Sequence, residues 1–491
     1  MSESFVSILP PLIAIILAIK TRQIVLSLAA GVFLGYVFII IDKPSAGFIL
    51  SLYPKLGSIP VISWISAAID SLFTSTYACI KVFENNGNTA NIIFTAMVGS
   101  LVALMNKSGG TKGFVEYFSR KKFITSDRKL HLYTVFLGAI MFIEGNISSL
   151  VTGAVARPFY EKRGVNKTKL AFVLDSTSAP ICVLIPLNAW WANIAQHIRN
   201  SGVSQWGMWH FLKTYIFNFY PIIIILLNIV LIVVMKDFFT MKKYQENNID
   251  TSSSKMTDEV LSMPAKEGVK ASASNLIIPV SIMILMLFAG LFLTGKGDVL
   301  SQEASGSKAV FWGVLFASVI SAIIYRIKKI LSLSEIMETF LKGLGGFISI
   351  SIILVLSFAI AEVCTTLKTG VFFAKLMGNT HTVKALLPAA IFLISCLVAF
   401  STGTSWGTWA IMIPIAVGLV GSLGANLYIC IGAVVSGAIF GDHASPISDT
   451  TVISSAAAGC DVVDHVKTQL PYALFAGGVS FVLFAVFGFI V

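Results

Sequence analysis

The chain has 491 residues, of which 56% are hydrophobic and only 12% charged. Soluble domains carry roughly 25% charged residues, so this composition excludes an ordinary soluble fold. The formal charge of +11 comes from Lys and Arg in short clusters between apolar runs, which is a record of membrane topology and not a nucleic-acid surface.

Apolar runs of about 20 residues recur from one end to the other, each long enough to cross a bilayer core. Runs such as 220–235 and 343–361 lack the period-two alternation of barrel strands. In lipid the backbone must then satisfy itself within helices. The expectation is an all-α polytopic protein of the bilayer, placed in a bacterial inner (plasma) membrane. The first run begins at Phe5 behind Glu3, with no basic n-region or small-residue cleavage site, and reads as a retained helix. Cys79, Cys182, Cys364, Cys396, Cys430 and Cys460 show no paired spacing and read as buried free thiols.

In chain order, the path of 44–80 stays open. Two basic clusters follow, Arg120 to Lys129 and Arg157 to Lys169, and both read as cytoplasmic. One apolar stretch, 131–156, separates them. A single helix cannot begin and end on one side, so this stretch reads as a re-entrant hairpin. Its tip, Glu144-Gly145-Asn146-Ile147-Ser148-Ser149, is polar where lipid would not tolerate it. The run 170–195 crosses as a broken helix, and 209–235 returns. Residues 236–274 are a polar cytoplasmic linker and the clearest boundary in the chain.

The second half repeats this order. Runs 275–293 and 309–325 cross out and back, 331–341 reads as an amphipathic piece in the interface, and 343–364 crosses again. A hairpin over 384–423 has the polar tip Ser401-Thr402-Gly403-Thr404-Ser405-Trp406. Run 428–459 is a second broken helix, interrupted over 441–451, and 468–491 closes the chain. The halves 1–235 and 275–491 therefore read as inverted-topology repeats, each with a re-entrant hairpin and a broken transmembrane helix. Ser178-Ala179-Pro180-Ile181 echoes Ala444-Ser445-Pro446-Ile447, and Lys107 to Phe114 echoes Thr366 to Phe372. Inverted repeats with interrupted helices mark secondary transporters, whose sites lie at the interruptions.

An intramembrane carboxylate costs roughly 2.5–3.5 kcal/mol on insertion scales. Glu144, Asp175, Asp442 and Asp449 fall at the hairpin tip and helix breaks, with Glu362 as a secondary candidate. Asp175-Ser176-Thr177 and Ser448-Asp449-Thr450-Thr451 add the hydroxyl and freed carbonyl oxygens that a hard cation prefers. Asn146, Thr404 and Ser405 complete the candidate cation- and proton-binding set, with Na+ at the Asp175 and Asp449 regions. Bland readings compete: Asp175 or Asp449 as a half-helix cap, Glu144 as a structural tip residue, Glu362 at the outer interface and His443 as a packed or capping histidine. The run Asp461-Val462-Val463-Asp464-His465 reads as solvated loop. Gly403-Thr404-Ser405-Trp406-Gly407 mimics a nucleophile elbow without the strand-to-helix turn that motif needs, so no catalytic residue is assigned. The chain has no HExxH and no Walker A sequence, which removes a zinc protease and ATP-driven transport by this chain alone.

Gly441-Asp442-His443-Ala444-Ser445-Pro446-Ile447-Ser448-Asp449-Thr450-Thr451, then Gly459-Cys460-Asp461, Asp464-His465-Val466 and Thr468-Gln469-Leu470-Pro471-Tyr472, resemble the signature of the NhaC-type sodium/proton antiporter family. Phe400 to Thr408, Ala156-Arg157-Pro158 and Asp175 to Pro180 fit it as well. The resemblance implies membership of the ion transporter superfamily, with a mobile unit of hairpins and broken helices moving as an elevator, usually in a homodimer. Many relatives carry two adjacent acidic residues at the first tip, where this chain has Glu144-Gly145-Asn146. Glu362 stands where relatives often show Asp. The leading expectation is Na+/H+ antiport with no cofactor, Na+ and H+ being the transported ions. The alternative is Na+-coupled transport or exchange of a small organic acid or amino acid.

Overall fold

Pro180 and Pro446 stand at interruptions between helices, whereas Pro158, Pro279, Pro388, Pro414 and Pro471 lie inside helices that continue. The computed structural model describes residues 4–21, 23–43, 60–119, 126–142, 145–186, 188–204, 206–247, 249, 265–299, 304–369, 372, 381–446 and 448–491. The first half contains α1 (Leu9–Thr21), α2 (Ile24–Asp42), α3 (Pro60–Lys81), α4 (Asn86–Lys107), α5 (Gly110–Ser119), α6 (Asp127–Ile140) and α7 (Gly145–Arg163). It continues with α8 (Lys167–Ser176), α9 (Ala179–Leu184), α10 (Ala189–Asn200), α11 (Met208–Tyr215) and α12 (Phe219–Val234). After α13 (Phe239–Glu246), the second half runs through α14 (Ser274–Thr294), α15 (Gly306–Ile327), α16 (Leu333–Gly346) and α17 (Ile348–Thr366). It ends with α18 (His381–Thr402), α19 (Ser405–Leu423), α20 (Leu427–Ala444), α21 (Asp449–Ala458) and α22 (Val462–Ile490).

Among the described residues, 9 helices are long and apolar enough to cross a membrane, or up to 11 when each of two bent pairs forms one span. The chain is a multi-pass membrane protein. Its most enclosed spans are α19 and α20, 78% and 83% buried within the protein, against 33% for α14 and 28% for α22. The spans made around the second tip and second break are thus the centre of the molecule, and α14 and α22 present their sides to lipid.

Both expected breaks are present and have the same cause. Pro180 cannot donate to the carbonyl of Ser176, and Pro446 cannot donate to that of Asp442, so each helix stops and restarts. The first break leaves α8 and α9 separated at Thr177 and Ser178; the second leaves α20 and α21 separated over 445–448, narrower than the expected 441–451. The carbonyl of Asp442 instead accepts the Thr451 hydroxyl at 3.3 Å. Gly441 lets α20 reach α18, since a methyl there would stand 2.4 Å from both Ala399 Cβ and Phe400 N.

The first hairpin is α6 packed on α7, and neither arm qualifies as a span. The second is α18 and α19, joined at Gly403, whose φ of +70° is a left-handed turn, and each arm is long enough to cross alone.

Three stretches gain detail. Residues 333–341 of the amphipathic piece lie in α16, which packs on α4 so closely that a methyl on Gly343 would lie 2.5 Å from the Gly99 carbonyl oxygen. The small residues on both sides allow that approach, so this piece is fastened to the helix bundle. The 236–274 region is no free linker where it is described. Asn166 donates to the carbonyls of Tyr244 and Ile249, Tyr244 donates to Asp464, and the Ser272 N–H donates to the Gly109 carbonyl. Residues 250–264 of it lie outside the described residues. Of the open stretch 44–80, residues from Pro60 onward form α3 against α2.

Candidate functional site

The two breaks meet in a buried polar cluster. Asp175, the ninth residue of α8, is fully buried, and so are His443, His465, Ser176, Thr451 and Ser454. Its Oδ2 accepts from the Gln469 amide at 2.8 Å and the Thr451 hydroxyl at 3.4 Å, and its Oδ1 accepts from Ser454 at 3.4 Å. All three donors come from the opposite half of the chain. The carboxylate therefore binds across the molecule, and the reading of Asp175 as a local cap fails.

Asp442, in the last turn of α20, is 2% exposed. It accepts from Ser405 at 2.7 Å and from Ser448 at 2.5 Å. Ser405 is the first residue after the second hairpin tip, so this carboxylate ties tip to break. Ser448 also lies 3.0 Å from the Thr450 hydroxyl. The first hairpin joins through Ser149, 2.9 Å from Ser454, and a methyl on Gly153 would lie 2.7 Å from Ala457 Cβ. Hence α7 and α21, from different halves, are held face to face.

Hydrogen-bond accounting fixes the centre. The Gln469 amide nitrogen donates to two acceptors, Asp175 Oδ2 and the His443 carbonyl at 2.5 Å. Its oxygen is left facing His465 Nε2 at 2.9 Å, so that ring nitrogen carries a proton. The other, Nδ1, sits 2.8 Å from Ser455 Oγ, which is itself 2.7 Å from the Thr451 carbonyl. Ser455 has one hydroxyl proton. Donated to Nδ1 it leaves a neutral ring; donated to Thr451 it leaves room for an imidazolium. His443 adds a second imidazole, with Nδ1 2.7 Å from the Tyr220 hydroxyl and Nε2 3.3 Å from Ser176 Oγ. Both Nε2 atoms stand 4.0 Å from Asp175 Oδ2.

The set is two carboxylates, hydroxyls and an amide, with two imidazoles behind them. Oxygen donors of this kind suit a hard cation, and the imidazoles suit a proton. Among the described residues no three His, Cys, Asp or Glu side chains converge as a metal-binding group.

Of the expected residues, Asp175, Asp442, His443, Ser176, Ser405 and Thr450 come together here. Thr177 turns away, donating to the Val173 carbonyl of its own helix at 2.7 Å and packing where a methyl on Gly138 would reach it. Thr404 caps α19 with extended backbone, and its carbonyl accepts from Thr408. Asp449 opens α21 and Asn146 lies in the first turn of α7, with both side chains outside the description. Glu144 lies outside the described residues. Glu362 is exposed on α17, away from the cluster.

Two residues were missed. The 461–465 run is no solvated loop: Asp461 is the exposed N-cap of α22, and one turn later His465 is fully buried. His465 and Gln469 are four residues apart, on one helix face, and that spacing beside the Asp461 cap is the signal. His443 is packed in the core with both its ring nitrogens engaged, by Tyr220 and Ser176.

A family model described as the Na+/H+ antiporter family matches residues 190–489. An uncharacterized protein of Haemophilus influenzae is 30% identical, over 99% of this chain and 92% of that one. The arginine/ornithine antiporter ArcD of Halobacterium salinarum is 27% identical, over 45% of this chain and 42% of its own. Among solved structures, the Alcanivorax borkumensis YdaH transporter superposes with a TM-score of 0.56 at 13% identity, covering 85% of this chain and 88% of that one. At that identity the likeness is one of fold.

Proposed function

Because this chain belongs to the Na+/H+ antiporter family, we propose that it exchanges Na+ for H+ by alternating access, with Asp175 and Asp442 at the shared site. The observation that carries this reading is the single Gln469 amide joining Asp175 to His443 and His465 in a fully buried cluster. A buried carboxylate is held either by a proton or by a cation, so one ion displaces the other. The serine and threonine hydroxyls rotate to accept or donate as the occupant changes. Asp449, Glu144, Asn146 and Thr404 remain part of the proposed set at the tips and second break.

The same reading takes 1–235 and 275–491 as inverted repeats and their hairpins and broken helices as the moving unit. A proline one helical turn past a polar helix end at both breaks, Pro180 after Ser176 and Pro446 after Asp442, supports that symmetry. A homodimer in a bacterial inner membrane belongs to the proposal as well. The test is proton movement in proteoliposomes containing only this protein, driven by a sodium gradient without organic solute. Asp175→Asn and Asp449→Ala should each abolish the pH change in folded protein; unchanged flux in Asp175→Asn sinks the assignment.

A second reading, sodium-coupled exchange of an amino acid or small organic acid, has one specific observation behind it. Trp190, Trp406 and Trp409 lie with ring centroids within 5.9 Å of one another beside the second tip, a surface suited to an organic solute. The partial likeness to ArcD fits this reading. Sodium-dependent uptake of labelled arginine, with no sodium-driven pH change, would select it.

A further inference from the structure

One face of α10 carries Trp190, Asn193 and His197, at spacings that place them on a single side of the helix. The helix packs against α4 and α17, and α4 carries Asn91 and Thr95 one turn apart. The register of this three-helix junction is fixed. Gln196 and Asn200 donate to Asn88 at 2.8 and 2.7 Å, Ser351 of α17 donates to the Ile92 carbonyl at 3.4 Å, and the Phe358 ring of α17 lies 5.0 Å from the His197 ring.

Asn91, Thr95, Asn193, His197 and Trp190 are each 2% exposed or less. Yet, among the described residues, the amides of Asn91 and Asn193, the Thr95 hydroxyl, both nitrogens of His197 and the Trp190 N–H have no hydrogen-bond partner. Buried polar groups in native proteins are nearly always bonded. Apolar side chains of the same shape would hold these helices together better, because an orphaned polar atom forfeits its hydration for nothing. Five such residues gathered in one seam favour a seam that is wet in another state of the molecule.

The two ends of the seam say what wets it. At one end, a methyl on Gly145, beside the first hairpin tip, would touch the Trp190 ring at 3.5 Å, and Trp190 lies 5.9 Å from Trp406 next to Ser405. At the other end the chain reaches exposed Asn85 and Asn86. From Trp190 to His197 the stripe runs roughly 10 Å along the helix.

We propose that the seam of α10 against α4 and α17 is the access path by which partly hydrated Na+ moves between the protein surface at Asn86 and the hairpin tips, and that it is closed in this conformation. The inference rests on the antiport reading. Neutral amide, hydroxyl and imidazole groups can stand in for hydration water without holding the ion, whereas carboxylates along a path would trap it.

The test is cysteine accessibility to a membrane-impermeant trimethylammonium methanethiosulfonate reagent, with wild type setting the baseline of the six native thiols. Asn193→Cys and His197→Cys should react at least tenfold faster than buried Ala433→Cys in either sodium-free or sodium-saturated buffer. Reaction no faster than Ala433→Cys in both buffers, from protein that still shows sodium-driven proton flux, overturns the path and leaves antiport standing. Absence of flux in wild type defeats the antiport reading instead. Asn193→Leu and His197→Leu provide a second readout: flux should drop at least tenfold while the melting temperature holds or rises. Undiminished flux in both would show a permanently dry seam.

Discussion

The Gln469 side-chain amide donates to Asp175 Oδ2 at 2.8 Å across a sequence separation of 294 residues. The same nitrogen holds the His443 carbonyl, and the oxygen faces His465. One uncharged residue therefore sets the orientation of three groups in the proposed site. Gln469→Ala should cut sodium-driven proton flux by tenfold or more. Loss of a hydrogen bond to a charged group is worth about 1.5–3 kcal/mol, so the melting temperature should fall as well. Gln469→Glu removes the N–H donor and places a second carboxylate against Asp175, so it should not rescue flux, whereas a merely structural role would be restored by its near-identical shape. Flux and thermal unfolding on the same preparations check this.

Asp442 accepts two serine hydroxyls, Ser405 from the second tip and Ser448 from the break. Asp442→Asn keeps the shape and removes the charge. Sodium affinity in the flux assay should fall at least tenfold, with the protein still folded. Ser405→Ala should give a smaller loss in the same direction, because one hydroxyl remains on the carboxylate.

Lys169 and Asp237 form an ion pair at 2.6 Å, their side chains 4% and 18% exposed. Breaking a buried pair by removing one partner costs about 3–5 kcal/mol, since the other charge is left alone. Lys169→Met should lower the melting temperature sharply, and Lys169→Met with Asp237→Leu should recover much of the loss. A double variant as unstable as the single one contradicts the pairing.

Gly441 sits where any side chain meets the backbone of α18. Overpacking of this kind costs typically 1–3 kcal/mol, so Gly441→Ala should destabilise by about that amount. Gly421, with nothing near a methyl placed on it, should tolerate the same change, and thermal unfolding of the two variants provides the comparison.

The prolines and acidic residues of the breaks were legible in the sequence because each carries its own physical signature. Pro180 and Pro446 each follow a polar run that offers the interrupted helix other hydrogen-bond partners, and Asp175 and Asp442 are too costly in lipid to be incidental. His465 and Gln469 carry no such mark. They lie among apolar residues of α22, beside Asp461 and Asp464 at its start, and only the packing of α22 on α8 and α21 decides that their face points inward. The docking of the 236–274 region escaped for a related reason. Asn166 and Tyr244 are ordinary polar residues until the fold brings them together.

The pairing of Asp175 with Gln469 also has a history in time. A ribosome adding about 5–20 residues per second needs roughly 15–60 s to make the intervening 294 residues. For most of that interval Asp175 has been synthesised while its hydrogen-bond donors have not, since Thr451 and Ser454 follow it by 276 and 279 residues. The N-terminal half must therefore wait, with a polar break unsealed, until Gln469 has been made and inserted. Shortening α22 so that Gln469 is lost should therefore be felt first as low abundance in the membrane, measured against wild type expressed alongside.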